Sequence, residues 1–331
     1  MISILMPVRN ADPFLKECLD SILCQTITDW ELIAINDHSS DDSLGILKSY
    51  TELDPRIKAL TNEGSGIIDA LRLAYKNSSG AYITRMDADD IMTTHKLDLL
   101  LEPLKLHGAG NLAVGLVKYI STTELGDGYR SYEHWLNELS KDNINFDWIY
   151  KECPIPSPAW MLHREDLDRC GAFDHDIYPE DYDLAFRMRD ADLTVRSTSE
   201  VVHHWRDHPE RSSRTDDNYK DNSFIQLKVY HFIRSEYDKS KTVILWGCGK
   251  KGKRIATLLI ENEIEFEWVT NNPKKIGHNI YGVIIQSDRD ITNIKNKQVI
   301  IAIAEKESLT LIMEDIMMIR SIPQKEYFFF C

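Results

Sequence analysis

The sequence predicts an α/β protein of two units, the first built on a mainly parallel sheet. Three observations predict it. Apolar strand-like runs alternate with helix-spaced runs through the first hundred residues, as in a parallel sheet covered on both faces. A second alternation begins at Lys241 with a strand, a glycine-rich turn and a helix. The charge changes sign between the two regions. Residues 239–331 carry 14 Lys and Arg against 11 Asp and Glu, net +3, leaving −17 for the rest of a chain whose formal charge is −14. A length of 331 residues suits two domains at roughly 150 residues each. The expected division is 1–215, a linking helix within 216–238, and 239–331.

The elements follow in order. Ile2–Met6 is a short apolar strand, and Phe14, Leu15, Cys18, Leu19, Ile22 and Leu23 then recur at helical spacing. Trp30–Asn36 reads as a strand, Ser43–Leu53 as a helix, Ile57–Leu60 as a weaker strand, Ile67–Tyr75 as a helix and Tyr82–Met86 as a strand. The middle is less regular. Tyr132–Tyr150 looks helical, anchored by Trp135, Leu136, Leu139 and Trp148. Cys153–Pro158 holds three prolines and reads as a loop. Glu180 opens a helix to Arg189, Val201–Trp205 is a strand, and a polar stretch from His203 to Arg214 reads mainly as loop. Asn222–Ser235 is the linking helix. In the second unit Lys241–Trp246, Phe266–Thr270 and Val299–Ile303 are strands, with helices to Ile260 and over Ser308–Met318.

Ligands of such sheets bind beyond the carboxyl ends of the strands. Three polar clusters fall there: Pro7-Val8-Arg9-Asn10, Asp37-His38-Ser39-Ser40 and Met86-Asp87-Ala88-Asp89-Asp90. The last packs three carboxylates into four positions, where each raises the others' pKa. A hard divalent cation removes that penalty and shares oxygen ligands with substrate phosphates. The alternative is a solvated acidic turn capping the next helix.

Five pieces together resemble a family 2 glycosyltransferase of the type-A nucleotide-sugar fold. They are Ile4–Asn10, Trp30–Asp37, Gly64–Ala70, Arg85–Asp90 and Glu180–Leu184, in family order over residues 1–215. The resemblance implies an N-terminal nucleotide-diphospho-sugar transferase fold. It implies that Pro7, Val8, Arg9 and Asn10 line the nucleotide and that Asp37 accepts a hydrogen bond from the base. Asp87 then faces ribose or metal, Asp89 holds Mn²⁺ or Mg²⁺, and Asp181 is the catalytic base of an inverting single displacement. His208 resembles the late histidine of the metal site, or is a solvated loop residue. Glu180 is support or an acceptor contact, or complements a helix dipole as Asp181 could. The other reading of Asp37 is the N-cap of the helix after it, which Asp41 or Asp42 could cap equally well, and family position favours the base-binding role. Asp69, Arg72 and Arg85 divide between nucleotide contact and packing, with Arg85 favoured as an ion pair to the acidic cluster. Arg211, Ser213 and Arg214 contact diphosphate or form a basic loop. Trp160 and Trp205 read as packing residues near the acceptor cleft. Ser157 stands before Pro158 where the family often has histidine.

The implied partners are a nucleotide-sugar donor, UDP-sugar first, and a glycan or lipid-linked acceptor. The processive signature Gln-x-x-Arg-Trp is absent, which favours single addition. A sugar-1-phosphate nucleotidyltransferase would want glycines after the first strand, and Pro7–Pro13 has none. A non-catalytic sugar-nucleotide scaffold is the other alternative.

Gly247, Gly249 and Gly252 form Gly-x-Gly-x-x-Gly between a strand and a helix, the context of a dinucleotide turn. The region resembles small Rossmann-like domains appended to sugar-processing enzymes. The second strand ends at Thr270-Asn271-Asn272, without the acid expected for a ribose hydroxyl. A packing or oligomerisation role is therefore preferred, with homo-oligomers through this unit an expectation.

Net charge argues against nucleic acid. No apolar run reaches the ~18 residues of a membrane span, which leaves peripheral association with the inner face of the membrane open. The apolar start lacks a basic region and does not read as a signal peptide. Six scattered cysteines without a Cys-x-x-Cys pair argue against zinc and disulfide frameworks and fit a reducing cytoplasm.

Overall fold

The computed structural model describes residues 1–122, 124–211, 214, 221–303 and 326–331. The chain forms two compact units. One is Met1–Phe146 with Pro154–Thr215, and the other is Asp147–Cys153 with Asp216–Cys331. The helix expected as a linker therefore groups with the second unit.

The first unit contains strands β1 (Ile2–Val8), β2 (Trp30–Asn36), β3 (Ile57–Thr61), β4 (Tyr82–Arg85), β5 (Ile91–Met92), β6 (Asn111–Ser121), β7 (Trp160–His163) and β8 (Thr194–Asp207). Its helices are α1 (Asp12–Leu23), α2 (Ser43–Leu53), α3 (Ile67–Lys76), α4 (Lys96–His107), α5 (Asp127–Asp142), α6 (Arg164–Arg169) and α7 (Glu180–Asp190). The eight strands form one sheet, ordered β3-β2-β1-β4-β7-β6-β8-β5. The half containing β3, β2, β1 and β4 is wholly parallel, and the other half mixes directions. β1 and β2 are buried almost throughout, which is why both read as apolar runs instead of alternating. Their register pairs Val8 with Asn36, and Leu5 with Arg85 of β4. The residues after all three strands thus emerge at one edge.

Two departures from expectation have local causes. α5 starts five residues earlier than the expected Tyr132 and ends at Asp142, because Asn143 takes a left-handed conformation, φ 56°, a helix stop. A 3₁₀ turn follows over Asn145–Trp148, and Trp148 does not share a helix with Trp135. β8 runs to Asp207 and starts seven residues before the expected Val201, since its polar beginning, Thr194–Glu200, lies half-exposed beside β6. The β6–β8 ladder is irregular around Gly115, where a Cβ would stand 2.2 Å from Val202. Glycine lets the backbones approach there.

The second unit holds α8 (Asp221–His231), β9 (Thr242–Trp246), α9 (Lys250–Glu261), β10 (Phe266–Thr270), β11 (Asn279–Ile280), β12 (Val283–Ser287), β13 (Lys297–Ile301) and β14 (Tyr327–Phe329). Its sheet is ordered β11-β12-β10-β9-β13-β14 and is parallel apart from the β11–β12 pair. Ile244, Trp246, Val269, Val299, Ile301 and Phe329 fill one face. Tyr150 stacks on Phe330, 5.2 Å between ring centres, and meets Phe328 edge-on. The expected helix over Ser308–Met318 lies outside the described residues.

Candidate functional site

The clusters after β1 and β2 interlock. Asn10 adopts φ 50°, which lets its Oδ1 accept from Ser40 N at 2.8 Å while its own N donates to Ser39 Oγ. Asp37 is 4% exposed. Its carboxylate accepts from Asn62 Nδ2 at 2.7 Å and from Gly66 N at 3.0 Å, with Arg9 Nη1 at 3.5 Å. Asp37 therefore holds the Gly64–Gly66 turn, and Gly66 needs φ 91° there. Pro7 and Val8 finish β1, with Val8 buried and its carbonyl accepting from Asp37 N. Asp69 accepts from Ser65 N and Arg72 Nη1, each at 3.1 Å. Arg72 in turn holds the carbonyls of Phe173 and Asp174.

The three carboxylates of the acidic turn diverge. β5 pairs antiparallel with β8, Ile91 opposite His204. Stepping back from Ile91 therefore means stepping forward along β8. Asp90 is buried and accepts from Arg206 N at 2.7 Å, with His203 Nε2 at 2.8 Å. Burial lifts its carboxyl well above the usual range, reinforced by Asp89 and Asp87. Asp89 Oδ2 meets His208 Nε2 at 2.9 Å, 119 residues away in sequence. Asp87 accepts from Arg85 Nε at 3.1 Å.

Asp89, His208 and the partly exposed Asp87 make a donor set of two carboxylates and an imidazole. Among the described residues no three His, Cys, Asp or Glu side chains close into a ready cage. Mg²⁺ or Mn²⁺ shared with phosphate oxygens needs only one or two protein carboxylates, and Asp89 and Asp87 are the side chains that could supply them.

Asp181 lies at the second position of α7. Burial, then the Glu180 carboxylate, push its carboxyl up to about 7, against the pull of Arg85. Arg85 joins the two halves of the site. Its Nε donates to Asp87 and its Nη1 to Glu180 Oε1 at 3.0 Å, with Arg85 and Glu180 both buried. Arg85→Met leaves two carboxylates without their cation. We expect it to cost about 3–5 kcal/mol of stability by denaturant titration. Arg85→Lys should restore only part of it, since an ammonium keeps the charge and three donors but lacks the planar fork that spans Asp87 and Glu180.

The remaining predicted residues have packing partners. Trp160 is buried, and its carbonyl accepts from Thr84 Oγ1. Trp205 stacks on Tyr119 at 5.2 Å, with the Arg211 guanidinium 4.8 Å from the Trp205 ring. Arg214 is engaged by both oxygens of Asp207, and Ser213 lies outside the described residues. In the second unit, a Cβ at Gly247 would stand 2.7 Å from Ala302 O, and one at Gly252 2.1 Å from Gly247 O. Packing alone requires those two glycines. Gly249 has open space around it.

Sequence reasoning missed Lys96, His203, Arg206 and Asn62. Lys96 is fully buried, donating to Pro158 O at 2.5 Å and lying 3.1 Å from His203 Nδ1. Burial pulls its ammonium down to about 7, against the attraction of Asp90. Burial and Lys96 together keep His203 neutral. No local pattern marks these residues, because their partners lie on other elements.

A family model described as glycosyl transferase family 2 matches residues 3–171. The Escherichia coli O-antigen biosynthesis glycosyltransferase WbnJ is 30% identical over 230 residues, 65% of this chain and 83% of that protein. The E. coli UDP-Glc:alpha-D-GlcNAc-diphosphoundecaprenol beta-1,3-glucosyltransferase WfgD is 38% identical over 169 residues, 51% of this chain and 62% of that one. Against three other curated relatives the chain spans only 20%, 35% and 46% of their length. The fold resembles that of S. aureus TarS 1–349 in complex with UDP-GlcNAc, with a TM-score of 0.55 at 16% identity, covering 78% of this chain and 71% of that one. It also resembles the mannosyltransferase PcManGT from Pyrobaculum calidifontis in complex with GDP-Man and Mn²⁺, with a TM-score of 0.52 at 19% identity, covering 72% and 64%. The matched model covers the strands of the parallel half-sheet from Ser3 onward and the whole acidic turn, and the chain belongs to glycosyl transferase family 2.

Proposed function

We propose that the chain is an inverting, metal-dependent glycosyltransferase. It moves a sugar from a UDP-sugar to a hydroxyl of a glycan or lipid-linked acceptor, one addition at a time. The observation that carries this reading is the joining of two groups by Arg85: the Asp87–Asp89 turn with its His208 partner, and the α7 carboxyls with Asp181 lifted to about 7. Asp37 accepts from the nucleobase and keeps the Gly64–Gly66 turn in place beside it. Asp89, His208 and Asp87 are the side chains that would hold a divalent cation, whose charge offsets the diphosphate leaving group. Asp181 takes the acceptor proton as the hydroxyl attacks the anomeric carbon, and its raised pKa suits a base at neutral pH. No covalent intermediate is needed.

The names of similar proteins support the partners. UDP-Glc and a diphosphoundecaprenol-linked sugar belong to WfgD, and UDP-GlcNAc is bound by TarS. Among the described residues no helix is long and apolar enough to cross a membrane. We place the enzyme in the cytoplasm, working at the membrane's inner face on a lipid-linked acceptor.

A screen of UDP- and GDP-sugars for Mn²⁺-dependent donor hydrolysis tests the reading. Release of UDP from one UDP-sugar supports it, and no release from any donor refutes it. Asp37→Ala should weaken UDP binding about 10–100-fold by calorimetry, the range for losing a charge-assisted hydrogen bond. GDP binding should change less, so the preference for UDP narrows.

A further inference from the structure

The loop before β7 is difficult to hold. Pro154, Pro156 and Pro158 carry no N–H, so the loop must be fixed largely through its carbonyls. Asn145 Nδ2 donates to Pro154 O at 2.9 Å, and Lys96 Nζ donates to Pro158 O at 2.5 Å. The loop borders the site by topology. β7 runs antiparallel to β4 with Met161 opposite Thr84, so the chain enters β7 beside the end of β4, where the acidic turn begins.

Lys96 continues the path. Lys96 Nζ lies 3.1 Å from His203 Nδ1, and His203 Nε2 lies 2.8 Å from Asp90 Oδ2; with the Lys96 amino group donating, Nδ1 accepts and Nε2 carries the proton toward Asp90. Asp90 Oδ1 accepts from Arg206 N, and Arg206 Nε donates to the Asp89 carbonyl at 2.8 Å. Lys96, His203 and Asp90 are each no more than 1% exposed. Burying an ammonium is costly, and an apolar side chain would fill the same space without that cost. The chain of polar contacts is unbroken from Pro158 to the backbone of Asp89.

We propose that Lys96 is a positioning residue that ties the proline loop to the acidic turn, so that filling the donor site also sets the wall where the second substrate docks. This rests on the donor-site reading given above. Lys96 touches neither substrate and takes no proton. It transmits position through His203, Asp90 and Arg206.

The test is hydrogen–deuterium exchange of the Ile155, Ser157 and Ala159 amides in the full chain, with and without UDP and Mn²⁺, and with GDP and Mn²⁺ as a second probe. In the wild type, saturating nucleotide and metal should slow exchange about fivefold, a typical coupling between sites. Lys96→Met should bind nucleotide within about threefold of wild type yet lose the slowing, and Lys96→Arg should recover part of it. Unchanged slowing in Lys96→Met overturns the proposal. So does loss of nucleotide binding in that variant, which would make Lys96 a support of the donor site itself. If Lys96→Met does not fold, His203→Asn cuts the path at its middle and leaves the Pro158 contact in place, with the same loss expected. Failure of both nucleotides to bind the wild type refutes the donor-site reading, before any variant is made. The ligand-free comparison then decides the anchoring. Lys96→Met should speed exchange at both the loop and residues 87–90, and speeding at the loop alone overturns the tie.

Discussion

Asp181→Asn is expected to lower kcat on the order of 10²-fold or more, with UDP affinity nearly unchanged. The substitution keeps the volume and the backbone contact of the side chain but removes its capacity to accept a proton. The pH profile gives an independent check. A base works as its carboxylate, and burial together with Glu180 lifts the Asp181 carboxyl to about 7. One unit below that, about a tenth of the groups are ionised. kcat should therefore rise with pH through about 7 and level above it. Glu180→Gln removes the neighbouring negative charge that raises the Asp181 carboxyl and leaves the Arg85 charge that lowers it, which favours the ionised form. The midpoint of the profile should move to lower pH. A profile that stays in place would assign the ionisation to another group, and near-normal turnover of Asp181→Asn would move the base elsewhere.

Asp89→Ala is the second large effect. UDP present at a hundredfold over its Kd should stabilise the wild type by about 2.7 kcal/mol. We expect most of that stabilisation to require Mn²⁺ or Mg²⁺. In Asp89→Ala the melting curves with UDP should coincide whether or not the metal is added. His208→Ala should show a weaker version, since a carboxylate is the harder ligand for these cations. Retained metal dependence in Asp89→Ala would make Asp87 the principal ligand.

β2, β1 and β4 were legible in the sequence because they are buried almost throughout and carry apolar runs bounded by turns, while β3, at the sheet edge with Lys58 and Thr61 exposed, reads more weakly. Ser43–Leu53 matches α2 residue for residue. β8 was half legible, since Thr194–Glu200 is polar and half-exposed and reads like a loop. α5 was overextended because Trp148 continues an apolar spacing that Asn143 has already broken. The site divides the same way. Asp37, Asp87, Asp89 and Asp181 stand out as acids at strand ends or a helix start. The inward turn of Asp90 depends on His203, 113 residues later. The Arg85 bridge to Glu180 spans 95 residues. Only the pairing of β5 with β8 brings Asp90 and His203 together.

The excursion of Asp147–Cys153 into the second unit has a consequence for synthesis. Tyr150 finds its partners in Phe328 and Phe330, which the ribosome adds much later. At ~5–20 residues per second, Trp148 and Tyr150 wait roughly 10–35 s as an aromatic stretch without its native cover. The surrounding polypeptide of the first unit is complete well before then and can fold around both ends of the stretch. A nascent chain at that stage offers a tethered hydrophobic segment to chaperones. Translation speed between residues 151 and 330 should therefore influence yield more than speed over the residues before them.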